Sequence, residues 1–219
     1  MDFAEYFPIW NKLTPEEQKI LSDSAVPRQV KKGTLLHGGA EDCQGLFLVA
    51  SGQLRAYIVS EEGREITIYR LFERDLCLLS ASCVMQNIQF EVTIEAEKDS
   101  SLFVVPARTY KALQEQSAAV ANYTSQLMAG RFSEVMWLLE QIMWKSFDRR
   151  LAEFLLNETL LEGSSSLKIT HEAIGNHLGT AREVVTRMLR YFQSEQMVKL
   201  SRGVVEVTDS ARLRKLCGE

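Results

Sequence analysis

The side chains best suited to chemistry fall between Thr170 and Arg202 of this 219-residue chain. Arg182, Glu183, Thr186, Arg187 and Arg190 lie mostly on one face of a helix whose other face carries Val184, Val185, Met188, Leu189 and Phe192. An arginine fork bonds bidentately to guanine, a glutamate near it accepts from cytosine N4, and a threonine reaches a base or the methyl of thymine. Lys199 and Arg202 suit phosphate, which positions a protein without specifying sequence. Thr170 and Thr180 stand at two helix starts, and Glu183 three residues after Thr180 predicts a capping box there. Any one of these arginines on an amphipathic helix is commonly just solvated; the combination is what points to nucleic acid.

The elements that must position them are legible. Thr170 caps a short helix carrying Ala173, Ile174 and Leu178, Gly179 breaks it, and a second helix follows at once, which is the pattern of a helix-turn-helix. Met197 to Leu200, the turn Ser201-Arg202-Gly203 and Val204 to Val207 then predict a hairpin wing, with Thr208 or Asp209 capping a last helix. Upstream, Asp148 to about Leu161 reads as a helix ending at the loop 162–166. Tyr110 to about Met143 reads as one long helix with apolar residues on more than one face. One face should meet a second copy, through Leu127, Phe132, Val135, Leu138, Leu139 and Ile142.

From about Ala25 to Pro106 the texture is short apolar runs punctuated by glycine, as in an antiparallel sandwich or roll. Its clearest predicted pair is Leu46 to Val49 with Leu54 to Val59, joined through Ser51-Gly52, followed by a turn at 61–64 and a strand from Glu65 to Leu71. A short helix capped by Thr14, with Pro15 and Glu17, precedes the roll and ends near Ser22. The fold class is therefore α+β, with an N-terminal antiparallel β-roll over 1–109, a long dimerisation helix over 110–146 and a C-terminal winged helix-turn-helix domain over 147–219.

Composition bounds the function. Hydrophobic residues at 46% and charged residues at 25% are ordinary globular values. No apolar run nears the ~20 residues of a bilayer span, and the start of the chain lacks a signal-peptide pattern, so a cytoplasmic protein without a membrane partner is expected. The net charge of −4 hides an asymmetry: 11 Lys+Arg against 10 Asp+Glu from Phe147 onward give +1, and 14 against 19 before it give −5. The C-terminal third is where a polyanion would dock. Four cysteines without a C-x-x-C pair suggest neither a disulfide scaffold nor a zinc site, and no metal is expected. A cupin-like metalloenzyme would need clustered ligands where His37 is the only histidine, and no P-loop, nucleophile elbow or H-E-x-x-H occurs, so no enzyme is expected. A regulatory subunit that does not bind DNA would leave Thr170 to Val207 unexplained.

The sequence resembles the Crp/Fnr family of bacterial transcription regulators over nearly its whole length. Gly33 to Gly39, Leu46 to Gly52, Glu62 to Glu65 and Arg74-Asp75 are similar to the family's roll motifs in order and spacing, and Ile169 to Phe192 to its winged helix-turn-helix. The resemblance implies a cyclic-nucleotide-binding-like roll, a homodimer joined along the long helix, and a palindromic operator in double-stranded DNA, with RNA polymerase as a further partner if binding activates. The Arg182, Glu183, Thr186, Arg187 pattern is similar to the catabolite activator type, which reads a TGTGA-like half-site; the hydroxyl at Thr186 leaves a hybrid site open.

The effector region departs from the family. Where cyclic-nucleotide members carry Gly-Glu and Arg-Ser pairs, Leu78-Leu79 and Phe90-Glu91 stand, and a carboxylate facing a phosphate repels it, so no cyclic nucleotide is expected. The N-terminal cysteines of cluster-holding members and the histidine of haem-holding members are missing, so neither an iron-sulfur cluster nor haem is expected. The effector remains open between a redox signal at Cys77 and Cys83 and a small apolar ligand against Leu78, Leu79, Phe90 and Ile94, with Glu91 among the candidate effector residues. The bland alternative for both thiols is burial as small hydrophobes.

Overall fold

The computed structural model describes residues 2–38, 45–84 and 91–218, the side chains of 82–84 excepted. The chain divides into two compact units, Met1–Ile58 with Ile68–Val135, and Val59–Thr67 with Met136–Glu219. The first opens with α1 (Phe3–Tyr6) and α2 (Pro15–Ser24). The capping box expected at α2 is present: the Thr14 hydroxyl accepts from Glu17 N at 3.3 Å and the Glu17 carboxylate accepts from Thr14 N at 2.8 Å. That backbone N–H holds the Glu17 carboxyl below its ordinary range. The helix runs two residues past the predicted end, and α1 was not foreseen.

Among the described residues eight strands follow: β1 (Val26–Val30), β2 (Leu35–Gly38), β3 (Leu46–Ser51), β4 (Leu54–Val59), β5 (Glu65–Leu71), β6 (Leu76–Cys77), β7 (Thr93–Ala96) and β8 (Ser100–Val105). They form two four-stranded sheets ordered β1-β8-β3-β6 and β2-β7-β4-β5. The predicted turn at 61–64 does join neighbouring strands β4 and β5. The predicted pairing of β3 with β4 does not occur: β3 pairs with β8 and β6, and β4 with β7 and β5. Gly52 is a corner between sheets, at φ +91°, and a Cβ there would meet the Ser100 hydroxyl at 2.3 Å. The same hydroxyl accepts from Gln53 N at 3.0 Å, so β8 pins the corner.

Strand β3 is buried on both faces, which accounts for its unbroken apolar run. Phe47 and Val49 join Leu54, Ala56, Leu71, Ile94 and Leu102 in one core. Leu46 and Leu48 join Phe103, Val105, Phe3 and Leu21 in another. That second core also takes Tyr110 and Leu113 from α3 (Ala107–Gln116) and Val120 from α4 (Ala118–Trp144).

The long helix expected from Tyr110 to Met143 is thus two helices. Ser117 is extended at φ −109° and ψ 115°. Its N–H closes α3 on Leu113 O at 2.8 Å, and its hydroxyl accepts from Val120 N at 3.4 Å to open α4. No proline or glycine announces this break; serine makes it by serving both helix ends. Along α4, Phe132, Val135, Leu139 and Ile142 are exposed, together with Met128, Met136 and Met143 at three- and four-residue steps. Leu127 packs against the core of the first unit instead, and Leu138 is half-buried.

The second unit contains α5 (Phe147–Glu162), β9 (Ser166–Leu167), α6 (His171–Leu178), α7 (Arg182–Ser194), β10 (Val198–Ser201), β11 (Val204–Val207) and α8 (Ser210–Cys217). Leu151 and Leu155 of α5, Ile174 of α6, Val185, Leu189 and Phe192 of α7, Val205 of β11 and Leu213 of α8 share its core. The wing is a three-stranded sheet, β10-β11-β9. Its outer strand β9 pairs Ser166 with Glu206 and Leu167 with Val205, a contribution too short to show in the sequence.

Candidate nucleic-acid interface

Helices α6 and α7 are joined by three residues. Thr170 caps α6, its hydroxyl accepting from Ala173 N at 3.1 Å, and Gly179 ends it in the left-handed region. The Arg150 guanidinium donates to Leu178 O at 3.1 Å, so α5 holds the end of α6, and burial lowers the pKa of this arginine. Thr180 N reaches back to Gly175 O at 3.0 Å and closes the turn.

The start of α7 corrects one expectation. Its N-cap is Ala181, without a side-chain cap, so Thr180 and Glu183 form no capping box. Thr180 spends its backbone on the turn, which displaces the helix start by one residue. Glu183 is therefore an exposed first-turn carboxylate, favourably placed at the positive end of the helix dipole.

The two faces of α7 divide as the sequence predicts. Val185, Leu189 and Phe192 are fully buried. Arg182, Glu183, Arg187 and Arg190 are exposed, and Thr186 among them is half-buried. The wing follows: Lys199 is exposed on β10 opposite Glu206, and Arg202 and Gly203 form the exposed turn between β10 and β11. Asp209, rather than Thr208, caps α8, its carboxylate accepting from Arg212 N at 2.9 Å.

Between the wing turn and the starts of α6 and α7 lies an open cleft of about 360 Å³, lined by Thr170, His171, Glu172, Arg182, Ser201 and Arg202 among others. Three of the predicted residues, Thr170, Arg182 and Arg202, converge there. His171 was not among the expected site residues. It lies beside the N-terminal half of α7, with its Nδ1 2.9 Å from the Thr186 hydroxyl. Partial burial, then Arg182 and Arg190, hold its pKa below the ordinary histidine value. A lone histidine just after a helix cap gave no signal by type or spacing.

The expected effector residues are scattered in environment. Cys77 is fully buried, and burial pushes its thiol up, away from the reactive thiolate. Its sulfur lies 3.9 Å from the Tyr69 hydroxyl. Over the Tyr69 ring, 4.3 Å from its centre, sits the Arg131 guanidinium of α4, which is also bonded to Glu134 at 2.8 Å. Leu79 is buried and Glu91 exposed. The Cys83 side chain and Phe90 lie outside the described residues. Among the described residues no His, Cys, Asp and Glu cluster fit for a metal occurs, and no helix is long and apolar enough to cross a membrane.

Comparison with known proteins agrees with this geometry. The Crp-like helix-turn-helix domain matches residues 149–216 and the cyclic nucleotide-binding domain matches residues 27–117. The transcriptional activator protein FnrA of Stutzerimonas stutzeri is 31% identical over 87% of this chain and 80% of its own length. The cyclic AMP receptor protein of Thermus thermophilus is 28% identical over 95% of this chain and 96% of its own. The crystal structure of a Eubacterium rectale chain assigned to the Crp/Fnr family of transcriptional regulators is 62% identical, covers 98% of this chain and 100% of that one, and superposes with a TM-score of 0.95. With an antiparallel roll, a long helix and a winged helix-turn-helix in that order, this chain is a member of the Crp/Fnr family of transcription regulators.

Proposed function

We propose that the chain binds a palindromic operator as a homodimer, reading each half-site with α7 and touching phosphate with the wing. The observation that carries this is the division of α7, whose buried face is spent on Val185, Leu189 and Phe192 while Arg182, Glu183, Arg187 and Arg190 stand exposed beside the wing turn. Arg182 and Arg187 are the guanine readers, and Glu183 accepts from cytosine N4. Lys199 and Arg202 are phosphate contacts. Thr170 contributes through the cap that its hydroxyl makes by accepting from Ala173 N, which fixes the start of α6.

The dimer forms along the exposed stripe of α4, centred on Phe132, Val135, Leu139 and Ile142. A stripe of this length left in water would be an association hazard, and a second copy covers it without leaving a free edge. The roll answers a signal other than a cyclic nucleotide. Support for this lies in Leu79, buried where the Gly-Glu pair of the cyclic-nucleotide members would place its glutamate, and in Glu91, whose charge opposes a phosphate. No catalytic step is assigned to the chain.

Selection of duplexes from a random library by the purified protein, run with reductant and with mild oxidant, tests the reading. A palindrome with a TGTGA-like half-site, or a hybrid of it, is expected in both arms. Enrichment in one arm only would assign the signal to a thiol. Enrichment in neither, with or without added cell extract, would refute DNA recognition by α7.

A further inference from the structure

The turn between α6 and α7 is held by residues more than a hundred positions away in the chain. Residues 59–67, the turn between β4 and β5 with the strand ends that flank it, group with Met136–Glu219 in the second unit. That turn is closed on itself: Ser60 N donates to Arg64 O at 2.8 Å, Gly63 N to Ser60 O at 2.9 Å, and Arg64 N to the Ser60 hydroxyl at 3.1 Å. Ile66 then forms an antiparallel bridge with Leu178, the last residue of α6. Its side chain fills the space beside Gly179, where a Cβ would lie 2.8 Å from Ile66 Cδ1 and 3.2 Å from its Cγ1. The Thr67 hydroxyl lies 2.8 Å from Nδ1 of His177. That imidazole also lies against Phe154 of α5, with ring centroids 5.3 Å apart. Together with the Arg150 guanidinium on Leu178 O, these contacts grip His177, Leu178 and Gly179 from both α5 and the 59–67 segment.

We propose that Ile66 and Thr67 are positioning residues for DNA recognition, which fix the turn after α6 and through it the start of α7. The inference rests on the assignment of α7 as the base-reading helix and adds to it two residues that lie outside the helix-turn-helix. Its sign follows from exposure. Arg182, Glu183, Arg187 and Arg190 are exposed with the segment in place, and the cleft beside Arg182 is open, so the contact supports the reading face without covering it. The path is short: α7 begins three residues after Gly179, and Thr180 N between them is already bonded to Gly175 O, which leaves little slack to absorb a shift before Arg182. The contact also asks more of Gly179 than its φ of +66° does, because asparagine tolerates that backbone and would still meet Ile66. A reading helix held for only part of the time binds its operator more weakly by that fraction.

The test titrates the duplex selected by the wild-type protein, and a random-sequence duplex of the same length, with the full chain and four variants. Ile66→Ala and Thr67→Val should each lower operator affinity about threefold per half-site, roughly tenfold for a dimer, by reducing the fraction of protein in which α7 is held. Binding to random sequence, which phosphate contacts supply, should not change. Thr67→Ser keeps the hydroxyl and should restore operator affinity, and Ile66→Val, one methylene shorter, should fall between alanine and the wild type. Wild-type operator affinity in both Ile66→Ala and Thr67→Val overturns the proposal, and so does tighter binding, which would make the segment a restraint. Equal losses on the two duplexes would mean a damaged domain instead of a misplaced helix and overturn it as well, as would a Thr67→Ser protein no better than Thr67→Val. Failure of the broader reading looks different, and the positioning role falls with it: the wild-type chain enriches no duplex, or base preference survives Arg182→Ala and Arg187→Ala unchanged.

Discussion

Replacing Gly175 by alanine sets two effects of opposite sign against each other. Gly175 is inside α6, where alanine ordinarily stabilises a helix by about 0.5–1 kcal/mol over glycine. A Cβ at this position would lie 2.7 Å from the carbonyl oxygen of Thr180, whereas comfortable C–H···O contacts begin near ~3.3 Å. The obstacle is backbone, in the residue that precedes the N-cap of α7, and Thr180 N is bonded back to Gly175 O. No rotamer change relieves it; α6 and the start of α7 must separate by roughly 0.6 Å if the ~3.3 Å approach is to be regained. Overpacking of this kind costs about 1–3 kcal/mol, so the expected net effect is destabilisation by about 1 kcal/mol and at most about 2.5. Hydrogen exchange of the amides in α5 to α8 measures it, because local protection reports this unit separately from the roll. Operator affinity should fall as well, since the shift moves the first turn of α7. An alanine variant that exchanges more slowly than the wild type would follow from helix propensity alone and would refute the steric argument.

Arg182→Ala and Arg187→Ala should each lose about 1–3 kcal/mol of operator binding and relax preference at one base pair per half-site, measured by competition between duplexes. Lys199→Ala should weaken all sequences evenly and flatten the salt dependence of binding; a change in base preference would reassign it. Phe132→Asp places a charge in the centre of the exposed stripe of α4 and should convert dimer to monomer in sedimentation velocity at micromolar protein, while a dimer of unchanged strength would put the interface elsewhere. Because the folded state holds the pKa of His171 below its ordinary value, the unfolded chain takes up that proton first. This contribution to stability is therefore whole above about pH 6.5 and is lost progressively as the pH falls below that value towards the lower pKa of the folded state. Urea midpoints between pH 8 and 5 should decline less steeply in His171→Gln than in the wild type, and equal slopes would place the titration elsewhere.

Much of the fold was legible because its signals were local. The wing, the cap of α2, the ends of α5 and the two faces of α7 each follow from residues within a turn or two of one another. What failed was non-local. The runs at Leu46 and Leu54 with glycine between them carry every mark of a hairpin, yet which sheet a strand joins is decided by partners far along the chain, Leu102 and Phe103 for β3 and Ile94 for β4. The unbroken apolar run of β3 was the available clue, since a hairpin on a half-solvated sheet would alternate. Ser117 hid the break between α3 and α4 because serine in a helical pattern is unremarked until its neighbours' hydrogen bonds are known. His171 hid for a related reason: its importance lies in Thr186, fifteen residues along and on another helix.

The sensing side of the molecule constrains its signal by the same kind of argument. An oxidant reaching Cys77 must find a thiolate, but the thiol is fully buried and its pKa is raised by that burial. Reaction there requires the roll to open first, so the fraction of open roll scales the rate whatever the thiol chemistry. The group that does bridge from α4 to the roll is Arg131, stacked on Tyr69 within hydrogen-bonding distance of Glu134. Any signal that rearranges the Tyr69 ring changes a contact of the helix whose exposed stripe is the proposed dimer surface, whereas a modification of the Cys77 sulfur meets α4 at one remove, through that ring and through the charge of Arg131. The shorter physical route from roll to dimer therefore runs through Tyr69 and Arg131, and removing the arginine head group by Arg131→Leu should shift the dependence of DNA binding on the signal more than Cys77→Ala does. Equal responses of the two variants would return the thiol to the centre of the mechanism.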